Sequence, residues 1–210
     1  MSKIVIFGAG GRAGRQAVAE ARRRGHDVTA VVRDPSRHGG LADGGVRIAA
    51  GDVTDVTGVA ALAAGHDAGI NAAAVYGAGT DPDTFFPNAA HALVTGLRHA
   101  GVDRLVAVGL SALLPGPDGN RVLDSLPAEF RPFCLAHAAG LEVLRVESGT
   151  VGWVYVSPAG DFDHEGERTG HYEVRDHGDP AARISYADFA LALLDEVEAP
   201  RHLRVHLAVT

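Results

Sequence analysis

The residues best placed to do chemistry start at Gly8. Gly8-Ala9-Gly10-Gly11-Arg12-Ala13-Gly14 follows a compact apolar run, Lys3 to Phe7, and opens an alanine-rich segment, Arg12 to Arg24. A glycine turn between a strand and a helix is built to hold a dinucleotide pyrophosphate. Gly8 permits the tight turn, Gly11 lets the backbone approach the phosphates, and Gly14 lets the helix lie close to the sheet. Gly10, Arg12 and Ala13 complete the turn, and the helix N-terminus adds unpaired N–H donors and the positive end of its dipole. The competing reading is a tight turn without a ligand.

The second strand, Val28 to Val32, ends at Arg33. An acid in this place binds a ribose 2′-hydroxyl, whereas an arginine suits a 2′-phosphate, so NADP is expected ahead of NAD. Arg12 and Arg37 are expected within reach of the same phosphate, and Asp34 is the residue that complicates this reading. Gly51-Asp52-Val53 ends the third strand. There Asp52 can accept from the adenine amino group while Val53 packs on the ring, or Asp52 can cap the helix that follows. Asn71, Ala72 and Ala73 after the fourth strand and Pro158 after the sixth are expected to continue the cofactor contacts.

These residues need a parallel sheet to position them. Apolar β-rich runs at 3–7, 28–32, 46–50, 68–71, 104–108, 152–156 and 203–209 alternate with helical patterns at 12–24, 56–64, 86–100, 135–147 and 185–197. That alternation predicts βαβ units: an α/β Rossmann fold with a doubly wound parallel sheet and helices on both faces. The sixth strand is expected to break at Ser157-Pro158-Ala159-Gly160. Segment 113–132 reads as a loop with at most short helical pieces. Segment 161–179 reads as a polar loop or lid hinged at Gly160 and Gly166, with a short strand near 171–174. Ser185 and Asp188 form a capping box. One domain, 1–210, is expected, with a small C-terminal region and the substrate-site loops within 111–180.

Composition narrows the function. The 210 residues are 46% apolar and 21% charged, which supports a packed core. The formal charge of −7 argues against nucleic acid and anionic membranes as partners. Cys134 is the single cysteine, so no internal disulfide is possible. Four apolar residues near the N-terminus are too few for a signal peptide, and no run approaches the ~20 of a spanning helix; the expected setting is the cytoplasm. Gly109-Leu110-Ser111-Ala112-Leu113 lacks the second glycine of a nucleophile elbow. Cys134 and His137 alone do not make a zinc site, and the acids at 161–165 do not follow a calcium-loop pattern, so no metal is expected. Trp153 reads as core.

Gly8–Gly14, Val31–Pro35, Gly51–Asp55, Val106–Ser111, Trp153–Pro158, Gly166-Glu167-Arg168-Thr169-Gly170 and Ile184–Phe189 together resemble a family: atypical short-chain dehydrogenase/reductases of the NADH-flavin-reductase group. The chain is also similar, more distantly, to biliverdin-reductase-B-like and NmrA-like proteins. The resemblance spans almost the whole chain and implies a Rossmann domain that binds NAD(P)H, with an acceptor pocket over the nicotinamide. Typical members of the superfamily use a Tyr-x-x-x-Lys pair, and the matching slot here is Phe133-Cys134-Leu135-Ala136-His137. Phenylalanine has no proton to give, so ketone–alcohol chemistry is disfavoured, and Tyr76, Tyr155 and Tyr172 are the remaining substitutes. The resemblance places Ser111 at the nicotinamide and His137 near the pocket, as catalytic candidates, with an inert surface histidine as the alternative for His137.

The expectation is therefore an NADPH-dependent reductase that passes hydride to a flavin or similar planar acceptor, such as a quinone. The flavin would be a substrate rather than a prosthetic group, and the protein a monomer or homodimer. Two alternatives stay open: an NmrA-like redox sensor that binds the dinucleotide without turnover, and an isomerase or biosynthetic enzyme with another small-molecule substrate.

Overall fold

The computed structural model describes residues 1–42, 44–77 and 79–210. The apolar runs form β1 (Lys3–Phe7), β2 (Asp27–Val32), β3 (Arg47–Ala50), β4 (Ala68–Asn71), β5 (Arg104–Val108), β6 (Gly152–Pro158) and β10 (Val205–Val209). These pair in parallel in the order β3-β2-β1-β4-β5-β6-β10. Strand β8 (Val174–Arg175) closes one edge antiparallel to β10. The predicted α/β Rossmann architecture is thus observed.

Runs without alternating polarity become strands covered on both faces. Ile4, Ile6, Val106 and Val154 pack under α1 (Arg12–Arg23) and α6 (Tyr186–Glu198), against Ala17, Phe189 and Leu193. Val5, Phe7, Leu105 and Trp153 face the other way, toward α2 (Val56–Ala63), α3 (Pro82–His99) and α5 (Arg131–Glu147).

Two helices start earlier than their apolar periodicity indicates. Asp81 accepts from the Thr84 N–H at 3.2 Å and caps α3, with Pro82 in its first turn. Pro132 likewise lies in the first turn of α5. A proline there loses only an N–H that no carbonyl would accept, so these prolines start helices rather than break them. Between them lies α4 (Val122–Ser125), a single turn.

Strand β6 ends within the stretch where a break is expected, at Pro158 rather than at its start. Ser157 and Pro158 stay in the sheet opposite Ala208 and Val209, because β10 needs partners along its full length. Segment 161–179 also departs from a free loop. Asp161–Asp163 (β7) pairs in parallel with Arg183–Ser185 (β9), and the short edge strand lies at 174–175 rather than 171–174.

Candidate functional site

Helices on opposite faces diverge from β1 and β4, which opens a crevice at their C-terminal ends. A groove of about 320 Å³ lies there. Its walls bring together eight of the residues expected from the sequence: Gly8, Gly10 and Gly11; Arg33; Asp52 and Val53; Ala72 and Ala73. His38 and Phe85 join them.

The glycine turn is shaped by what it excludes. Gly8 has φ 73°, and a Cβ there would collide with the backbone of Ala72 and Ala73. A Cβ at Gly14 would collide with the Gly8 carbonyl oxygen. The turn closes through the Gly11 N–H, which donates to the Gly8 oxygen at 3.0 Å. Helix α1 then begins with Gly11 as N-cap, without a side-chain cap and without an acid in its first turn. The N–H groups of Arg12, Ala13 and Gly14 are left for an anion, at the positive end of the helix dipole. This cradle fits a pyrophosphate.

At the far end of the groove, Asp52 accepts from the Thr54 N–H at 2.9 Å and the Thr54 hydroxyl at 2.8 Å. These bonds, with Arg33 nearby, hold its carboxyl below the usual pKa. The helix cap is Asp55, which accepts from Thr57 N–H at 3.0 Å, so Asp52 is not the cap of α2. Asp34 is occupied by Ser36, whose hydroxyl lies 2.6 Å from Oδ1.

Arg33 stands on the groove wall, but Arg12 does not join it. Arg12 borders a separate pocket with His164, Glu165 and Tyr186. Burial raises the Tyr186 phenol pKa, and the adjacent Arg12 guanidinium opposes that rise. The expectation that the Arg12 side chain shares a phosphate with Arg33 is therefore corrected: the side chain turns toward α6, and only its amide serves the turn. Arg37 is exposed and does not line the groove.

Ser111, His137 and Pro158 are likewise absent from the groove walls. Ser111 is buried at the end of β5, under a segment anchored by Gly178 N–H donating to the Pro115 oxygen at 2.8 Å. Pro158 is the last residue of β6, paired with Val209 at the C-terminal end of the sheet, the end that carries the groove. Asn71 lies on a small neighbouring cavity and uses its Oδ1 to accept the Ala73 N–H at 3.1 Å, which fixes the wall after β4.

His137 is neither a surface residue nor a free acid. Its Nδ1 lies 2.7 Å from the Tyr155 hydroxyl. Burial drives its pKa down to about 3, so it carries no proton to donate as an imidazolium near neutrality. Its ring lies 3.8 Å from that of Phe86 and 4.8 Å from that of Phe133, centroid to centroid. Tyr76 extends the cluster edge-on to Phe133 at 5.3 Å and is 67% exposed. The Tyr-x-x-x-Lys slot is thus filled by an aromatic wall with one open edge.

Segment 161–179 is pinned rather than hinged. Asp188 accepts from the Thr169 N–H and hydroxyl, the Gly170 N–H and the Ser185 hydroxyl at 2.8 to 3.0 Å. A Cβ at Gly160 would collide with the Ala182 oxygen, and one at Gly166 would press on Asp163. Both glycines permit close packing, so the expectation of a hinged lid is corrected. Four groove residues that sequence reasoning does not single out are His38, which lies beyond the strand-end motif, Ala74 and Val75, which continue the chain past Ala73, and Phe85, which precedes the apolar periodicity of its helix.

The fold and site define a nicotinamide-dinucleotide-binding Rossmann protein. The chain belongs to the NAD(P)H-binding family, whose model matches residues 8–200. It is 36% identical to the uncharacterized protein YwnB of Bacillus subtilis, over 95% of this chain and 94% of that one. Among solved structures, a Streptococcus pneumoniae protein provisionally named an NADH-flavin reductase superposes with TM-score 0.83 at 32% identity, covering 100% of this chain and 99% of that one. A Burkholderia pseudomallei protein provisionally named an exported protein superposes with TM-score 0.84 at 33% identity, with both chains covered in full. No helix among the described residues is long and apolar enough to cross a membrane.

Proposed function

We propose that this protein is a cytoplasmic NADPH-dependent reductase that passes hydride to a flavin or similar planar acceptor. The observation that carries the reading is the aromatic wall of Tyr76, Phe133, Phe86 and His137 in place of a proton-donating pair. A planar, electron-poor acceptor needs orientation more than acid catalysis. Aromatic faces supply that orientation, and the exposed Tyr76 edge gives the acceptor a way in.

Bound nicotinamide would supply the hydride. The chain's own residues then have assigned tasks. The amides of Arg12, Ala13 and Gly14 hold the pyrophosphate, Arg33 selects a 2′-phosphate, and Asp52 and Val53 receive the adenine. Ser111, buried beside the end of β5, orients the nicotinamide side of the site. His137 braces the wall from behind. The similarity to the Streptococcus protein supports the acceptor class.

The test is kinetic. Tyr76→Ala and Phe133→Ala are expected to raise the KM for FMN about 10-fold, the scale of losing one or two aromatic contacts. NADPH affinity should stay within about twofold of the parent. An unchanged flavin KM in both variants removes the aromatic wall from the acceptor site.

A further inference from the structure

The groove carries a second basic group that its motifs do not announce. Asp34 accepts from Ser36 N–H at 3.1 Å and holds a one-turn 3-10 segment, Pro35–Arg37. That segment ends at His38, on the same groove wall as Arg33 and Gly10. The His38 ring lies over the open face of Gly10: a Cβ there would meet His38 Nε2 at 2.7 Å.

Arg15 fixes this ring. One turn into α1, its Nε donates to the Gly10 oxygen at 2.9 Å, and a terminal nitrogen reaches His38 Nδ1 at 3.2 Å. A guanidinium can only donate, so Nδ1 is the acceptor and the remaining ring proton sits on Nε2. The imidazole is thereby locked with an N–H at the ring edge lying over Gly10. Arg15 also brings its own positive charge to this rim, the task expected of Arg12.

We propose that His38, oriented by Arg15, donates from Nε2 to the 2′-phosphate of NADP and sets the preference for it jointly with Arg33. The inference rests on the NADPH reading of the groove. A 2′-phosphate is a dianion with several acceptor oxygens, so a bidentate guanidinium and a separate N–H donor can both be used. A ribose 2′-hydroxyl offers much less to either group. Arg15 acts through His38 and is a positioning residue.

The test uses 2′,5′-ADP and 5′-AMP as probes, which differ only in the 2′-phosphate, titrated calorimetrically into the full chain. The parent should bind 2′,5′-ADP at least about 10-fold tighter than 5′-AMP, the weight of one charge-assisted hydrogen bond or more. His38→Phe should weaken 2′,5′-ADP about 10-fold and leave 5′-AMP within about twofold. Arg15→Gln should weaken 2′,5′-ADP by a smaller factor, again without touching 5′-AMP.

A His38→Phe variant that retains full selectivity overturns the assignment, while the parent's preference and its loss in Arg33→Ala would leave the NADPH reading standing. Equal weakening of both probes also overturns it, because His38 would then merely brace the glycine turn. A parent that binds both probes equally overturns the NADPH reading and this inference together.

Discussion

The hydroxyl of Tyr155, on β6, lies 2.7 Å from Nδ1 of His137, on α5. Both groups are buried, and burial raises the tyrosine pKa as it lowers that of the histidine. Each is held in its neutral form, so the pair joins strand to helix without storing a charge.

Acid sensitivity follows from the same burial. The pKa of His137 is pushed from 6.5 to about 3, and that of His206, whose Nε2 lies 2.8 Å from the Ser157 hydroxyl, to about 4. A histidine with a depressed folded pKa binds its proton more readily in the unfolded chain. Its stability contribution is intact above pH 6.5 and is lost as the pH falls toward the folded value. Between pH 7.5 and 5, His137 alone should cost about 2 kcal/mol, and His206 acts in the same direction. Urea unfolding at the two pH values measures it. A His137→Phe variant should show a shallower loss, and a parent whose stability does not change over this range would contradict the burial argument.

At the opposite end of the sheet, Arg104 and Glu196 form a buried ion pair at 2.7 Å. Arg104 also donates to the carbonyl oxygens of Glu196 and His202, and Glu196 accepts from His202. Arg104→Met strands a buried carboxylate and should cost about 3–5 kcal/mol. For a chain of this size the Tm should fall by roughly 6–20 °C. NADPH affinity measured well below the Tm should be unchanged, since the pair lies far from the groove. A Tm within two degrees of the parent would show that the pair is dispensable.

The Asp188 contacts make a local prediction. Burial alone would raise this carboxyl, yet the bonds from Thr169, Gly170 and Ser185 hold it below the usual pKa. Asp188→Ala keeps the backbone cap on Ser185 but frees Thr169 and Gly170. Hydrogen exchange at 166–173 should accelerate by about 10-fold or more, the equivalent of one charged hydrogen bond. Exchange that matches the parent across this stretch would mean that other contacts hold it.

What the sequence discloses depends on how local the cause is. The glycine turn is visible because most of its causes are local: a strand before it, a helix after it, and the Gly8 carbonyl that a Cβ at Gly14 would strike; the Ala72–Ala73 backbone that excludes a Cβ at Gly8 is not. The strands at 3–7 and 104–108 are visible because the uninterrupted apolar runs Ile4–Phe7 and Leu105–Val108 have few alternatives. Pro158 ends its strand, as a proline commonly does, but its pairing with Val209 of β10, itself flanked by β8, is a long-range contact that the local sequence does not disclose. His38 and Arg15 are invisible to motif reading: they meet only after β2 and α1 are laid side by side. The same holds for Thr169 and Asp188, where two recognisable motifs turn out to be two halves of one anchor. His137 is correctly singled out, but its burial and its partner Tyr155 depend on the packing of α5 on β6.

The most direct test of the central claim is steady-state nicotinamide oxidation by the full chain under anaerobic conditions, with NADPH or NADH, in the presence and absence of FMN. The account predicts flavin-dependent turnover that favours NADPH, with flavin reduced in step with nicotinamide consumed. Tight NADPH binding without turnover on FMN, riboflavin or a quinone would contradict it and mark the protein as a dinucleotide-binding sensor.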